Sequence, residues 1–212
     1  MRLATLVCLS AGLSGCVFNL GDVSGVDTKT EQRSVEAFDA IAVEGSVDVD
    51  AKVGSELSVE VEAASKVIDD IKTTVEDGVL HIDLEGKLHV NTGRMLVRVT
   101  VPSLKSLSLS GSGDAQVEGL DEDAFAIAVT GSGDVEAGGK AKAVTVLLSG
   151  SGDVQARALE AETADITLRG SGDVRVTASE TAAGSIAGSG DVTVHGGATC
   201  TVAVSGSGDL NC

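Results

Sequence analysis

The sequence predicts an all-β protein: a single-stranded parallel β-helix, or β-solenoid, with about 18–20 residues per coil. Three observations carry this. Gly-Ser-Gly-Asp begins at Gly111, Gly131, Gly150, Gly170, Gly188 and Gly206, a near-constant period within the range of solenoid coils and about half that of a propeller blade. Apolar residues alternate with polar ones on both sides of each tetrapeptide, as in strands with one buried face. Glycine tolerates positive φ, so Gly-x-Gly permits a sharp corner in every coil.

The register fixes which side chains point inward. Four residues before each first Gly stand Leu107, Ile127, Val146, Ile166, Gly184 and Val202; two before stand Leu109, Val129, Leu148, Leu168, Ile186 and Val204. Four after stand Ala115, Val135, Val154, Val174, Val192 and Leu210. This predicts two half-buried strands per repeat, with only Gly184 lacking a side chain to bury. Identical turns stack most simply about 4.8 Å apart, and parallel crossovers favour a right-handed path.

The chain begins with a different kind of segment. Arg2 precedes a short apolar run, Leu3 to Leu13, which falls well below the ~20 residues of a membrane helix. Charge, apolar core and small residues form the pattern of a signal peptide, here residues 1–15. It ends in Leu13-Ser14-Gly15-Cys16, a lipobox-like sequence in which Cys16 is the lipidation site. Stable anchoring takes more than one acyl chain on such a Cys. Val17, rather than Asp, follows it, which by resemblance to diderm lipoproteins favours the outer membrane.

Residues 16–34 read as a flexible tether, rich in Gly, Ser, Thr and charge. Residues 35–105 read as an N-terminal β region of irregular coils. Alternating strands are expected at 41–43, 47–49, 57–61, 79–84 and 96–101, with a short helical turn at 67–71. These strands lack the Gly-Ser-Gly-Asp corner, but the segment after Pro102 runs into the first repeat without a linker. Residues 106–212 form the regular β-helix.

Cysteine usage fits export. Cys8 leaves with the signal and Cys16 carries lipid. Cys200 and Cys212 remain, an even pair where disulfides persist. Cys200 lies six residues before Gly206 and Cys212 six after it, both at inward positions, so a bridge would close the open end of the last coil.

Composition excludes some functions. The chain has 32 acids against 15 bases, and removing the leader takes away one base and no acid. Such a chain binds neither nucleic acid nor an anionic lipid surface electrostatically. It has no Trp or Tyr, which weighs against sugar stacking. His81, His89 and His195 lack metal-ligand spacing. No serine sits in a recognisable nucleophile motif.

The sharpest chemical candidate is the ladder Asp114, Asp134, Asp153, Asp173, Asp191 and Asp209. Each Asp can accept hydrogen bonds from turn amides, the structural role expected of it. Stacked carboxylates would also repel or recruit a cation. Ca²⁺ needs six to eight oxygens, and one Asp per coil supplies few. Arg157, Arg169 and Arg175 lie near Asp173 in sequence, a minor suggestion of lyase chemistry on polysaccharide.

The segments Phe38-Asp39-Ala40-Ile41-Ala42-Val43, Gly78-Val79-Leu80-His81-Ile82 and Val101-Pro102-Ser103-Leu104, followed by the serial Gly-Ser-Gly-Asp corners, resemble the family of auto-transporter adhesins with a head GIN domain. The resemblance covers roughly residues 34–212. It implies a β-helix-like fold, bacterial export and often a lipid anchor, and it carries no catalytic residues. The function expected is a non-enzymatic surface module with a protein or glycan partner, oligomerising if solenoid edges meet. The outward positions Ser108, Ala128, Thr167, Ser185 and Ala203, with Leu147 as the exception, form the flat wall for such a partner. A polysaccharide-binding or polysaccharide-cleaving β-helix and a purely structural envelope protein are the alternatives.

Overall fold

The computed structural model describes residues 27–86 and 93–212. The expected signal peptide, Cys16, most of the expected tether and His89 lie outside the described residues. One continuous sheet winds through the described chain. It consists of β1 (Thr28–Arg33), β2 (Ala40–Gly45), β3 (Asp48–Val53), β4 (Ser58–Ala64), β5 (Ile71–Glu76), β6 (Val79–Leu84), β7 (Leu96–Val101), β8 (Ser106–Gly111), β9 (Ala115–Gly131), β10 (Val135–Gly150), β11 (Val154–Gly170), β12 (Val174–Gly188), β13 (Val192–His195), β14 (Thr199–Gly206) and β15 (Leu210–Asn211). The helical turn expected near residue 68 is a single 3₁₀ turn, Ile68–Asp70.

The expected solenoid is present. From β8 onward each coil pairs in parallel with the next, with the first Gly of each repeat opposite the first Gly of its neighbour. The expected pair of strands per repeat is joined into one strand of 15–17 residues in β9 to β12. Register shifts near Ala137–Gly139 and Ala156–Glu160 mark where the strand bends between its two walls. Backbone pairing thus continues through the bend.

The core is the interior of this winding. The inward columns predicted from register are buried: Leu107, Ile127, Val146 and Ile166 on one wall, Val135, Val154, Val174 and Val192 on the other. The gap at Gly184 has a cause. A Cβ there would lie 1.8 Å from the Ile166 carbonyl oxygen, at a φ of +139°. A side chain at this φ would run into the backbone of the preceding coil.

The N-terminal region continues the solenoid, but not in chain order. β2 pairs in parallel with both β6 and β8, and β3 with both β7 and β9. The chain therefore builds the β2–β3 coil first. It then moves outward, returns as β6–β7 on one side of that coil, and crosses to β8 on the other. Three strands break the parallel rule. β4 runs antiparallel to β7, β5 antiparallel to β6, and β1 antiparallel to β4. Together they cover the N-terminal end, so the fold is a parallel solenoid with an antiparallel cap.

This corrects the expected tether. Residues 16–34 do not stay irregular throughout, because Thr28–Arg33 is a strand on the edge of β4. Its sequence, Thr-Lys-Thr-Glu-Gln-Arg, has no apolar alternation, since an outermost strand buries little. Backbone pairing and cross-strand polar contacts hold it, including Gln32 Nε2 to Glu60 Oε2 at 2.7 Å and Arg33 to the Ile68 carbonyl at 3.0 Å.

Candidate functional site

The repeated corner is the most regular polar feature of the fold. Its first Gly adopts φ between +128° and +143° at all six repeats, a region closed to most side chains. Its second Gly is needed for another reason. A Cβ on Gly133 would sit 2.0 Å from the Gly113 carbonyl oxygen, so successive corners stack backbone on backbone. The Ser amide of each corner donates to the first Gly carbonyl of the preceding one, as Ser132 does to Gly111 at 2.9 Å.

The Asp residues join this stack. The amide of Asp134 donates to Asp114 Oδ1 at 2.9 Å, Asp153 to Asp134 at 2.7 Å, Asp173 to Asp153 at 2.8 Å, Asp191 to Asp173 at 3.0 Å and Asp209 to Asp191 at 2.8 Å. The expected acceptance of turn amides is therefore real, but it runs between coils and not within one turn. From Asp114 to Asp191, each carboxylate spends one oxygen on its neighbour's backbone.

The ladder has a lower rung that the repeat count missed. Asp114 donates to Asp48 Oδ1 at 3.1 Å, and Ser112 donates to the Gly45 carbonyl at 2.9 Å. Gly45-Ser46-Val47-Asp48 is thus a corner of the same kind, with φ of +103° at Gly45. Two things hid it: Val47 replaces the second Gly, and the excursion through β4 to β7 separates it from Gly111. The signal available in the sequence was Gly-Ser-x-Asp bracketed by Ile41, Val43 and Val49.

Basic partners for the ladder are few. Arg175 pairs with Asp173 Oδ2 at 3.1 Å, and Arg94 approaches Asp48 Oδ2 at 3.6 Å. Of the three arginines near Asp173 in sequence, Arg175 reaches it. Arg169 lies before the corner, level with Ser149 and Ala187, and Arg157 offers its carbonyl to Thr177. The lyase-like cluster is not assembled among the described residues. No group of three or more His, Cys, Asp or Glu able to hold a metal ion occurs among the described residues.

Two further surface features are regular along the coils. The first is the flat wall. Ser108, Ala128, Leu147, Thr167, Ser185 and Ala203 stand in one register column, each opposite the next. Leu147 is 47% exposed, a rare apolar outlier on a surface of small residues. The second is a groove of about 740 Å³ at the bend between walls, where Asp121, Asp123, Lys140, Lys142, Glu160 and Glu162 line successive coils. Lys142 Nζ meets Asp123 Oδ1 at 2.6 Å. That hydrogen bond, with the attraction between the two charges, lowers the Asp123 pKa and raises that of Lys142.

At the far end, Cys200 and Cys212 are joined by a disulfide with Cα atoms 6.4 Å apart. The bridge ties β14 to the residue after β15, but it closes the end only in part. Cys200 stays half-buried, Cys212 is exposed and Val204 remains 46% exposed.

Comparison with known proteins agrees with this architecture. A crystal structure described as a putative adhesin from Bacteroides fragilis superposes with a TM-score of 0.68 at 21% identity, covering 87% of this chain and 96% of that one. One from Parabacteroides distasonis, described as a putative lipid binding protein, gives 0.57 at 20% identity, covering 87% and 96%. A putative adhesin from Parabacteroides merdae gives 0.55 at 16% identity, covering 87% and 95%. At these identities the likeness establishes the fold alone. No curated protein matches the chain. The family described as "Putative auto-transporter adhesin, head GIN domain" matches residues 37–198, which span β2 through β13, and the chain belongs to that family.

Proposed function

We propose that this protein is an exported lipoprotein, held at the outer membrane through Cys16, whose solenoid is a non-catalytic binding rod. The observation that carries the reading is the flat wall. Six small or apolar side chains in a single register column, on a backbone fixed by stacked corners, offer a rigid surface that needs no reordering when a protein or glycan partner docks. Family membership supports an envelope or surface role. The proposed means of attachment is the lipobox-like Leu13-Ser14-Gly15-Cys16.

The non-catalytic part of the reading draws on how the polar groups are used. Each ladder Asp from Asp114 to Asp191 bonds the next coil's amide, and Arg175 is paired with Asp173. Their roles are structural. The groove beside Lys140 and Lys142 favours a glycan as the second class of ligand, because alternating acids and amines suit a hydroxyl-rich chain lying along the axis.

Protease shaving of intact cells tests the surface role. Release of the protein from intact cells is expected, and full protection overturns an outward-facing adhesive role. Fatty-acid labelling that is lost in Cys16→Ala tests the anchor. Incubation with acidic glycans tests catalysis, since appearance of unsaturated products would make the protein a lyase.

A further inference from the structure

Within the six repeats, two charged side chains stand on an otherwise uncharged flat wall. The outward residues one, three and five positions before each corner from Gly111 to Gly206 are Ser, Thr or Ala, except Leu147, Asp165 and Arg169. Asp165 is level with Thr145 and Ala183, and Arg169 with Ser149 and Ala187, so each has uncharged neighbours in its column. The two are four residues apart on β11, about 13 Å, too far to pair with each other. Neither forms an ion pair among the described residues.

The same asymmetry recurs at the N-terminal end of the wall. There β2, β6 and β5 extend the columns, and Ala42, His81 and Thr74 continue the central one that holds Leu147. On β5, Glu76 falls in the column of Asp165 and Lys72 in the column of Arg169. On both β5 and β11, therefore, the acid lies on one side of the central column and the base on the other.

We infer that two copies of this chain pair face to face through this wall, about a two-fold axis running along its central column. The inference rests on the wall being a docking surface and names what docks there. Such an axis keeps each strand level with the same strand of the other copy and exchanges the two flanking columns. Asp165 of each copy then faces Arg169 of the other, and Glu76 faces Lys72. The other acids on the wall, Glu44 and Asp83, face the uncharged Ala40 and Val79. Leu147, 47% exposed in one copy, meets its own counterpart on the axis. A two-fold axis running across the coils sets like columns together, and centred on β11 it opposes Asp165 to Asp165 and Arg169 to Arg169. The lengthwise pair closes on itself. It also keeps both N-terminal caps at the same end, which suits two copies held through Cys16 in one membrane.

The wall is large enough for such a pair. Its three columns span about 13 Å along the strands, and nine strands about 4.8 Å apart extend it for about 38 Å. With the side chains at its margins it covers on the order of 700 Å² per copy, or about 1,400 Å² in the pair, within the range of specific interfaces. Exposed ion pairs add little affinity, so the reciprocal charges act by fixing register and excluding misaligned pairing. Burial of Leu147 and the small side chains around it supplies the attraction. The chain carries a formal charge of −17, so two copies repel except through a surface such as these six repeats, where one acid balances one base.

Sedimentation equilibrium of the full chain in density-matched detergent micelles tests the inference. A mass that rises from monomer to dimer with concentration, and stops there, is expected. Arg169→Asp sets acid against acid and should weaken the dimer about tenfold or more, with the melting temperature nearly unchanged. Arg157→Asp makes the same change in net charge away from the wall and should leave the dimer as it is. Adding Asp165→Arg to Arg169→Asp puts opposite charges across the axis again and should restore dimerisation. A monomer at every concentration overturns the proposal, as do growth beyond the dimer, equal weakening by Arg157→Asp, and a double variant no tighter than Arg169→Asp. Binding to a glycan array, wild type against Leu147→Glu, keeps this failure apart from failure of the wall as a docking surface. A monomer whose array binding is lost in Leu147→Glu fails only in self-pairing, and a monomer with unaltered array binding fails in both.

Discussion

The amide of Asp153 donates to Oδ1 of Asp134 at 2.7 Å, which ties one coil to the coil before it through a side chain that the sequence repeats at every corner. The interaction needs an acceptor oxygen, not a charge. Asp134→Ala should therefore cost about 0.5–1.5 kcal/mol, the net range for an ordinary hydrogen bond, while Asp134→Asn should retain most of the stability. Chemical denaturation of the two variants distinguishes them. An equal loss in both would mean that the charge, not the acceptor, matters.

The corner glycines make a second comparison. Gly133 has no unusual φ, but a Cβ there would meet the Gly113 carbonyl oxygen at 2.0 Å; Gly78 has φ of +79° and nothing within 4 Å of its missing Cβ. Gly78→Ala should cost about 1–2 kcal/mol, the penalty for left-handed backbone. Gly133→Ala should cost more than about 4 kcal/mol, or abolish folding, because stacked backbone cannot give way locally. Thermal melting of both variants checks the order, and a Gly133→Ala protein as stable as Gly78→Ala would contradict the stacking argument.

Reduction of the disulfide should act locally. Cys200 and Cys212 are twelve residues apart, and a closed loop of that size contributes roughly 3 kcal/mol by restricting the unfolded chain. Val204 in the last described coil is 46% exposed where the same column is buried in earlier coils, so that coil should fray first. Hydrogen exchange with and without reductant should show protection falling in β14 and β15 while β9 to β11 stay protected. Uniform loss along the rod would argue instead for all-or-none unfolding.

The pair in the groove predicts a pH window. Asp123 is lowered in the folded state, so the stabilisation it gives is present above its unfolded pKa and lost as pH falls through the folded value. Lys142 is raised, so its stabilisation is present below its unfolded pKa and lost as pH rises through the folded value. The pair therefore acts across the neutral range and fails at both extremes. Lys142→Met should return Asp123 to the ordinary carboxylate range in an NMR titration. An unchanged Asp123 titration would show that the two groups do not interact in solution.

Calcium should leave the melting temperature unchanged at millimolar concentration. Along the ladder from Asp114 to Asp191, one oxygen of each carboxylate is engaged by the next coil's backbone, and a Ca²⁺ site takes six to eight oxygens. A clear upward shift would mean that the outer oxygens of stacked corners cooperate in binding.

By itself the sequence determined the class of fold, the positions of the corners and the inward columns, because a backbone of period two and a turn of fixed length leave one consistent register. It also placed Cys200 and Cys212 on the same coil, since position within the repeat is position in space. Only the tertiary structure decided how the N-terminal third is assembled. The β2–β3 coil lies between two coils that follow it in the chain, and local alternation contains no record of which strand pairs with which. β1 was invisible for a related reason: an outermost strand is selected by backbone pairing and charge, so Thr28–Arg33 shows none of the apolar pattern that marks a buried strand. The seventh corner at Gly45 was hidden by distance along the chain, and its membership in the ladder became clear only when Asp114 was found bonded to Asp48.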